Sequence, residues 1–122
     1  MQTPRQTPLQ APLKERRCVP CEEGTPPLDE ATTRLLLGEV PAWSLKQSAG
    51  KPPHIARRFE FVDFLAAMAF VGKLAAVAEE EGHHPDFCVH YNRVDVSVWT
   101  HTVGGLSEND FILASKLDAA VA

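Results

Sequence analysis

The chain has 122 residues, 44% of them hydrophobic, and a formal net charge of −4. This length allows one domain with a real hydrophobic core and little more. A negative net charge argues against a protein that binds the phosphate backbone of nucleic acids. No apolar run reaches the roughly 18 residues that a membrane-spanning helix needs, and no secretory signal is recognisable at the N-terminus. A cytoplasmic location is therefore the default expectation.

Residues 1–27 hold six of the ten prolines and show no apolar periodicity. We predict a disordered or loosely attached arm over this stretch, followed by one domain over residues 28–122. Cys18 and Cys21 form a C-x-x-C pair within the arm. A structural zinc site usually needs four ligands, and no second pair is present. We therefore expect no chemistry from this pair, with weak metal binding or oxidation as the alternatives.

Seven elements are predicted after the arm, each from its own local signals. Helices are indicated by capping residues and apolar positions three or four residues apart, and strands by alternation of apolar and polar residues. In chain order they are a helix from Leu28–Glu30 to Gly38, a strand over 43–47, a strand over 54–61, the main helix over 62–81, strands over 86–91 and 94–101, and a last helix from the N-cap Ser107 to about residue 120.

The order of these elements predicts the fold class. No strand-helix-strand unit repeats in the manner of a doubly wound fold. We predict an α+β domain, in which a four-stranded antiparallel sheet carries three helices on one face. A tight Asn92-Arg93 turn should join the last two strands. In the main helix Leu65, Met68 and Gly72 recur at helical spacing, which predicts that this stripe packs in the core.

Histidines and acids form an ordered constellation in the second half of the chain. His83-His84-Pro85 is followed by Tyr91, by Thr100-His101 and by Asp110, and Glu79 precedes them all. The unperturbed pKa of imidazole, about 6.5, lets the group give and take protons near neutral pH. Several imidazoles with a carboxylate are typical equipment for acid–base chemistry without a cofactor.

This constellation, with the stretches 55–61 and 105–110, resembles the pterin-4a-carbinolamine dehydratase (4a-hydroxytetrahydrobiopterin dehydratase) family over residues 28–120. The resemblance implies the same α+β architecture in a homodimer or homotetramer. It also implies a hydro-lyase of pterin recycling, which removes water from a 4a-hydroxytetrahydropterin to give a quinonoid dihydropterin. The pterin is the substrate, and no cofactor or metal is expected. A pterin-dependent aromatic amino acid hydroxylase would fit as a partner.

The resemblance also implies roles for individual residues. It makes His83 and His101, the latter at the end of the last strand, the acid–base residues, while His84 binds the substrate and assists. Asp110 either caps the last helix or holds an imidazole in the right tautomer, and both can be true. Glu79 fits a helix-end acid or supporting partner better than a catalyst. The other expected substrate-binding positions are Gly82, Pro85, Trp99, Thr100 and Thr102, and Trp99 fits an exposed strand residue equally well.

Two other classes of function remain open. Relatives of this fold include noncatalytic binding proteins, such as assembly factors and dimerisation partners that act as transcriptional coactivators, but such relatives can lose the histidines that this chain keeps. A metalloenzyme could use the histidines with Asp110. Adjacent histidines rarely converge on one ion, and neither H-x-H nor H-x3-H spacing occurs here, so we consider the metalloenzyme the weaker alternative.

Overall fold

The computed structural model describes residues 11–121. Three helices and four strands follow a short 3-10 turn at Leu13–Glu15, and a second 3-10 turn precedes the last helix. None of the helices in the described part of the chain has the length and hydropathy needed to cross a membrane. The elements are α1 (Glu30–Leu37), β1 (Ser44–Lys46), β2 (His54–Glu60), α2 (Phe64–Glu81), β3 (Asp86–His90), β4 (Arg93–Val98), the second 3-10 turn (His101–Val103) and α3 (Glu108–Ala119).

The strands form one antiparallel sheet in the order β1-β2-β4-β3. The register places Ile55 opposite Val98 and Phe59 opposite Val94, so the apolar residues of β2 and β4 share one face of the sheet. Cross-strand pairs of this kind stabilise a sheet when one face is buried. The predicted α+β fold and the order α-β-β-α-β-β-α are confirmed.

Helices α2 and α3 cover the apolar face of the sheet. The rings of Phe59 on β2 and Phe70 on α2 have centroids 4.5 Å apart. Arg57 shares the core face of β2 and is tolerated there because its guanidinium lies 4.1 Å from the centroid of the Phe59 ring and pairs with Asp118 of α3. Asp118 also accepts a hydrogen bond of 2.9 Å from Nε1 of Trp43. These contacts tie α3 to the β1–β2 side of the sheet.

The apolar stripe that we predicted to pack in the core of α2 faces solvent instead. Leu65 is 77% exposed and Met68 is 40% exposed, whereas Phe70 and Leu74 are buried. The prediction was wrong because α2 is apolar on more than one face, so that helical periodicity does not indicate which stripe meets the sheet. The N-cap Asp63, whose carboxylate accepts from the Ala66 N–H at 2.8 Å, helps to fix where the helix begins.

Two local predictions at the ends of β4 need correction. The last pair of the β3–β4 hairpin is His90 with Arg93, so the turn residues are Tyr91 and Asn92 rather than Asn92 and Arg93. Tyr91 has a positive φ of 54°, which a two-residue hairpin turn requires. Strand β4 ends at Val98, and His101 begins the second 3-10 turn instead of ending a strand.

Residues 13–21 of the predicted arm pack against the domain. Leu13 is only 3% exposed and belongs to the hydrophobic core, and Arg16 forms an ion pair of 2.5 Å with Glu108 of α3. The prediction failed here because a proline-rich composition argues against helix and strand but says nothing about a single buried leucine. The first ten residues of the predicted arm lie outside the described residues.

Replacing the buried leucine of this segment tests whether it belongs to the core. We expect Leu13→Ala to lower the free energy of unfolding by about 2–4 kcal/mol, because the substitution removes buried methyl groups and leaves a cavity. Leu35→Ala is the matched control, since Leu35 is 74% exposed, and should change stability by less than about 0.5 kcal/mol. Urea denaturation measures both. Equal effects of the two substitutions would contradict the buried position of Leu13.

Candidate active site

The side chain of Asp110 lies at the centre of the candidate site and is completely buried. Its Oδ2 accepts hydrogen bonds from the Ser107 N–H at 2.8 Å and from the Thr100 hydroxyl at 2.9 Å. Its Oδ1 lies 2.7 Å from Nε2 of His83. Asp110 therefore caps α3 and contacts an imidazole at the same time, so that three donors satisfy its buried oxygens.

The hydrogen bond to Asp110 orients His83. When Nε2 donates to the carboxylate, the ring of a neutral histidine carries its lone pair on Nδ1. Within the described residues, Nδ1 of His83 has no hydrogen-bond partner. A carboxylate that holds one ring nitrogen while the other is free is the arrangement that a proton-transferring histidine requires.

The end of α2 determines where His83 lies. Gly82 has a positive φ of 65°, and its N–H binds the Glu79 carbonyl while the N–H of His83 binds the Ala78 carbonyl. This left-handed helix end strongly favours glycine, because other residues are strained in that conformation. Gly82, predicted to contact substrate, therefore also sets the direction in which the chain leaves the helix.

His84 has a different partner from its neighbour. Its Nε2 lies 2.6 Å from Oε2 of Glu79, and both side chains are largely exposed. Glu79, which the sequence suggested as a helix-end acid or supporting partner, thus contacts His84 rather than His83. The two adjacent histidines are each paired with one acid, one buried and one in solvent.

A cavity of about 300 Å³ lies beside His83. Of the predicted site residues, His83, Gly82, Thr100 and Thr102 line it, whereas His84, Pro85, Trp99 and His101 do not. A larger hollow of about 600 Å³ between α1 and β1 contains none of the histidines, so its size does not make it the better candidate. The remaining residues that line the smaller cavity are Cys18, Val19, Pro20, Cys21, Glu81 and Asn109.

His101 lies just outside this cavity. In the chain it lies between Thr100 and Thr102, both of which line the cavity. The side chain of His101 is exposed, however, and its ring stacks on that of Trp99 with centroids 3.8 Å apart. Trp99 also lines a separate hollow together with His54. The structure thus brings His83 and Asp110 into direct contact and leaves His101 at the edge of the site.

Sequence reasoning missed two buried polar residues that line the cavity. Asn109 bonds to the backbone of Val19, and Glu81 accepts a hydrogen bond of 2.8 Å from the N–H of Cys18. Glu81 also forms ion pairs of 3.2 Å with Lys116 and with Arg17. These partners are far apart in sequence, so no local pattern connects them. The only local signal was the position of Asn109 next to Asp110 in the first turn of α3.

The pKa values of Glu81 and Cys18 are shifted in opposite directions. Burial alone would raise the pKa of Glu81, but the hydrogen bonds from Cys18 and Lys116 and the nearby positive charges outweigh it and lower this pKa. Burial, followed by the negative charges of Glu81 and Asp110, raises the pKa of the Cys18 thiol from 9.0 to about 12. The Cys18 thiol is therefore protonated at neutral pH, and a protonated thiol is a poor nucleophile.

The C-x-x-C pair does not complete a larger ligand cluster. Among residues 11–121, no three side chains of His, Cys, Asp or Glu lie close enough together to hold a metal ion. Cys18, Cys21 and Cys88 are all free thiols.

Comparison with known proteins identifies the family of the chain. The family model described as pterin 4 alpha carbinolamine dehydratase matches residues 26–120. The chain belongs to this family. A protein of Halorhodospira halophila provisionally named pterin-4-alpha-carbinolamine dehydratase is 45% identical over 107 residues, covering 88% of this chain and 95% of the relative. A relative of the same provisional name from Stenotrophomonas maltophilia is 47% identical over 108 residues, covering 88% and 90%.

Two solved structures have similar folds. A transcriptional coactivator/pterin dehydratase from Brucella melitensis matches with a TM-score of 0.71 and 34% identity, covering 79% of this chain and 99% of that chain. A pterin dehydratase-like protein described as a RuBisCO assembly factor in the alpha-carboxysome matches with a TM-score of 0.54 and 30% identity, covering 64% and 87%. The fold therefore occurs in proteins that are described by different functions.

The raised pKa of Cys18 predicts an unusual pH profile of alkylation. In a Cys21→Ser, Cys88→Ser variant, the rate of alkylation of Cys18 should rise about tenfold per pH unit between about pH 9 and about pH 11, because the thiolate fraction increases in this proportion below the pKa. Iodoacetamide labelling followed by mass spectrometry measures the rate. A rate that levels off near pH 9 would contradict the raised pKa. A Cys18→Ser, Cys21→Ser variant, which retains the exposed Cys88, is the control for reagent reactivity.

Proposed function

We propose that this chain dehydrates a 4a-hydroxytetrahydropterin to a quinonoid dihydropterin by histidine acid–base catalysis, as a carbon–oxygen lyase. The single observation that carries the proposal is the contact of 2.7 Å between His83 and the fully buried Asp110. The carboxylate holds one ring nitrogen of an imidazole that lines a cavity, which suits a histidine that transfers protons. Membership of the pterin carbinolamine dehydratase family supports the same reaction.

The reaction needs two proton transfers and no net oxidation. The bond between C4a and the hydroxyl oxygen breaks, and the oxygen takes a proton as it leaves as water. The N5–H proton is lost, and its electron pair forms the new C4a=N5 double bond. We propose that Nδ1 of His83 accepts the N5 proton while Asp110 stabilises the imidazolium that forms. The protonated His101, approaching from the edge of the site, would supply the proton to the leaving hydroxyl.

The other predicted residues have supporting roles in this proposal. Thr102 lines the cavity and offers its hydroxyl group to the polar edge of the pterin, whereas Thr100 forms part of the cavity wall with its hydroxyl bonded to Asp110 and Ser107. His84, held by Glu79, would contact the substrate from outside the cavity. Pro85 restricts the backbone of His84 to extended conformations, and Trp99 supports the ring of His101. In pterin recycling, the protein that uses the recycled pterin would be a pterin-dependent aromatic amino acid hydroxylase.

A double-mutant cycle tests the pair that carries the proposal. His83→Ala should lower kcat by a factor of about 10² to 10⁴, which is the usual contribution of a positioned general acid or base. Asp110→Asn should lower kcat by a smaller factor, because the imidazole remains but loses its charged partner. The double variant should be no slower than His83→Ala, because Asp110 acts through His83 and residues that act as a unit are not additive. Ultraviolet absorbance with a 4a-hydroxypterin substrate measures the rates.

His90→Ala is the matched control for this cycle. His90 is an exposed histidine on β3 whose Nε2 lies 3.7 Å from Asp95, away from the cavity, so kcat should stay within about twofold of the wild type. Circular dichroism checks that each variant is folded at the assay temperature. Full activity of folded His83→Ala would refute the assignment, and a wild-type protein no faster than buffer would refute the dehydratase function.

The exposed apolar stripe of α2 supports a second proposal, that of self-association into a homodimer or homotetramer. Phe64, Leu65 and Met68 are all exposed on this helix, and contiguous apolar patches of this kind mark protein interaction sites. The described surface of α2 that faces away from the sheet also carries Ala69, Gly72, Ala75 and Ala76, whose small side chains allow close helix–helix approach. We propose that copies of the chain pack through this stripe.

A charge placed in the stripe tests this second proposal. Leu65→Glu should weaken self-association at least about tenfold, because a carboxylate buried without a partner in an apolar interface is costly. Leu35→Glu, on the equally exposed Leu35 of α1, should leave the assembly unchanged. Sedimentation equilibrium over a concentration series measures both. A wild-type protein that stays monomeric over the whole series would refute the proposal.

A further inference from the structure

The segment Cys18–Cys21, which we call the arm segment, lies on one side of the cavity beside His83. Its four residues line the cavity together with Glu81, Gly82, His83, Thr100, Thr102 and Asn109. The match to the family model begins at residue 26, whereas the alignments to curated relatives cover 88% of the chain and so include this segment. The C-x-x-C pair that the sequence singles out therefore contributes to a wall of the candidate active site.

Buried Asn109 holds the arm segment by a two-point contact. Its Nδ2 donates to the Val19 carbonyl at 2.6 Å, and its Oδ1 accepts from the Val19 N–H at 3.0 Å. The side-chain amide of Asn109 thus binds both backbone groups of Val19. Asn109 itself is only 6% exposed. Two hydrogen bonds to the backbone of the same residue fix its orientation as well as its position, as pairing with a neighbouring strand would.

Further contacts hold the residues on the N-terminal side of Val19. Glu81 accepts from the Cys18 N–H at 2.8 Å, and the ion pair of Glu81 with Lys116 anchors that carboxylate to α3. The Cys18 thiol lies 3.5 Å from the Asn109 carbonyl oxygen. Leu13 is buried in the core five residues earlier. The arm segment is therefore fixed against the domain by buried polar and apolar contacts rather than by surface charges alone.

Asn109 and Asp110 are consecutive residues in the first turn of α3. One binds the arm segment and the other binds His83. The same helix turn therefore sets the distance between the wall of the cavity and the imidazole. The arm segment carries no charged side chain, which suits the face of a flat, uncharged bicyclic ring.

We propose that the arm segment is part of the pterin-binding site and that Asn109 is the positioning residue that holds it opposite His83. The proposal rests on the function proposed above and names a part of the substrate site that this function does not require. It predicts that loosening the arm segment weakens substrate binding while the proton transfers at His83 continue.

Kinetics of an Asn109 variant separate this role from a general effect on folding. Asn109→Ala should raise KM about five- to tenfold, because it removes two hydrogen bonds that fix the wall, and should leave kcat within about twofold. Asn92→Ala is the matched control, since Asn92 also donates to a backbone carbonyl, that of Phe61 at 3.0 Å, but lies in the hairpin turn. An unchanged KM, or a loss confined to kcat, would overturn the positioning role.

Thiol protection tests the wall in the unaltered protein. Cys21 lines the cavity, whereas Cys88 is exposed on β3 and serves as the internal reference. Saturating 7,8-dihydrobiopterin should slow the alkylation of Cys21 at least about fivefold relative to Cys88, as measured by site-resolved mass spectrometry. No protection of Cys21 in a preparation that has dehydratase activity would overturn this inference alone. A preparation that neither dehydrates the substrate nor binds the dihydropterin would overturn the proposed function, and this inference with it.

Discussion

A buried carboxylate is the constraint on which the site depends. An unpaired charge in a protein interior is expensive, so a buried carboxylate needs donors on its oxygens. Asp110 obtains them from the start of its own helix, from Thr100 after β4 and from His83 after α2. Three separate parts of the chain must meet for this one side chain to be tolerated. The cost of burying Asp110 therefore enforces the geometry that the proposed chemistry uses.

The fold was largely predictable because its signals are local. The cap of α1 at Asp29, the breaks at Gly38 and Gly104 and the alternation in β4 each appear within a few residues. Helix α2 was the exception, since its apolar residues cover several faces and only the tertiary packing decides which of them meets the sheet. The buried Leu13 was equally hidden, because a single apolar residue among prolines has no periodicity to reveal it.

The candidate site was predictable only in part, and for a related reason. The pairing of an imidazole with Asp110 was one of two roles that the sequence allowed, and the structure shows both contacts at once. The roles of Asn109 and Glu81 depend on partners more than sixty residues away, which no motif encodes. The position of His101 was missed because the alternation suggested a strand up to residue 101, whereas β4 ends at Val98 and His101 begins a 3-10 turn.

The placement of the histidines bears on how this scaffold can change during evolution. His84 and His101 are exposed and contribute nothing to the packing of helices on the sheet. Substitutions at such positions usually alter stability very little. A lineage could thus abandon the proposed chemistry through one or two surface changes and keep the fold intact. Inheritance of the fold and of the proposed reaction are separable in part, because Asp110 serves both whereas His84 and His101 serve the proposed chemistry alone.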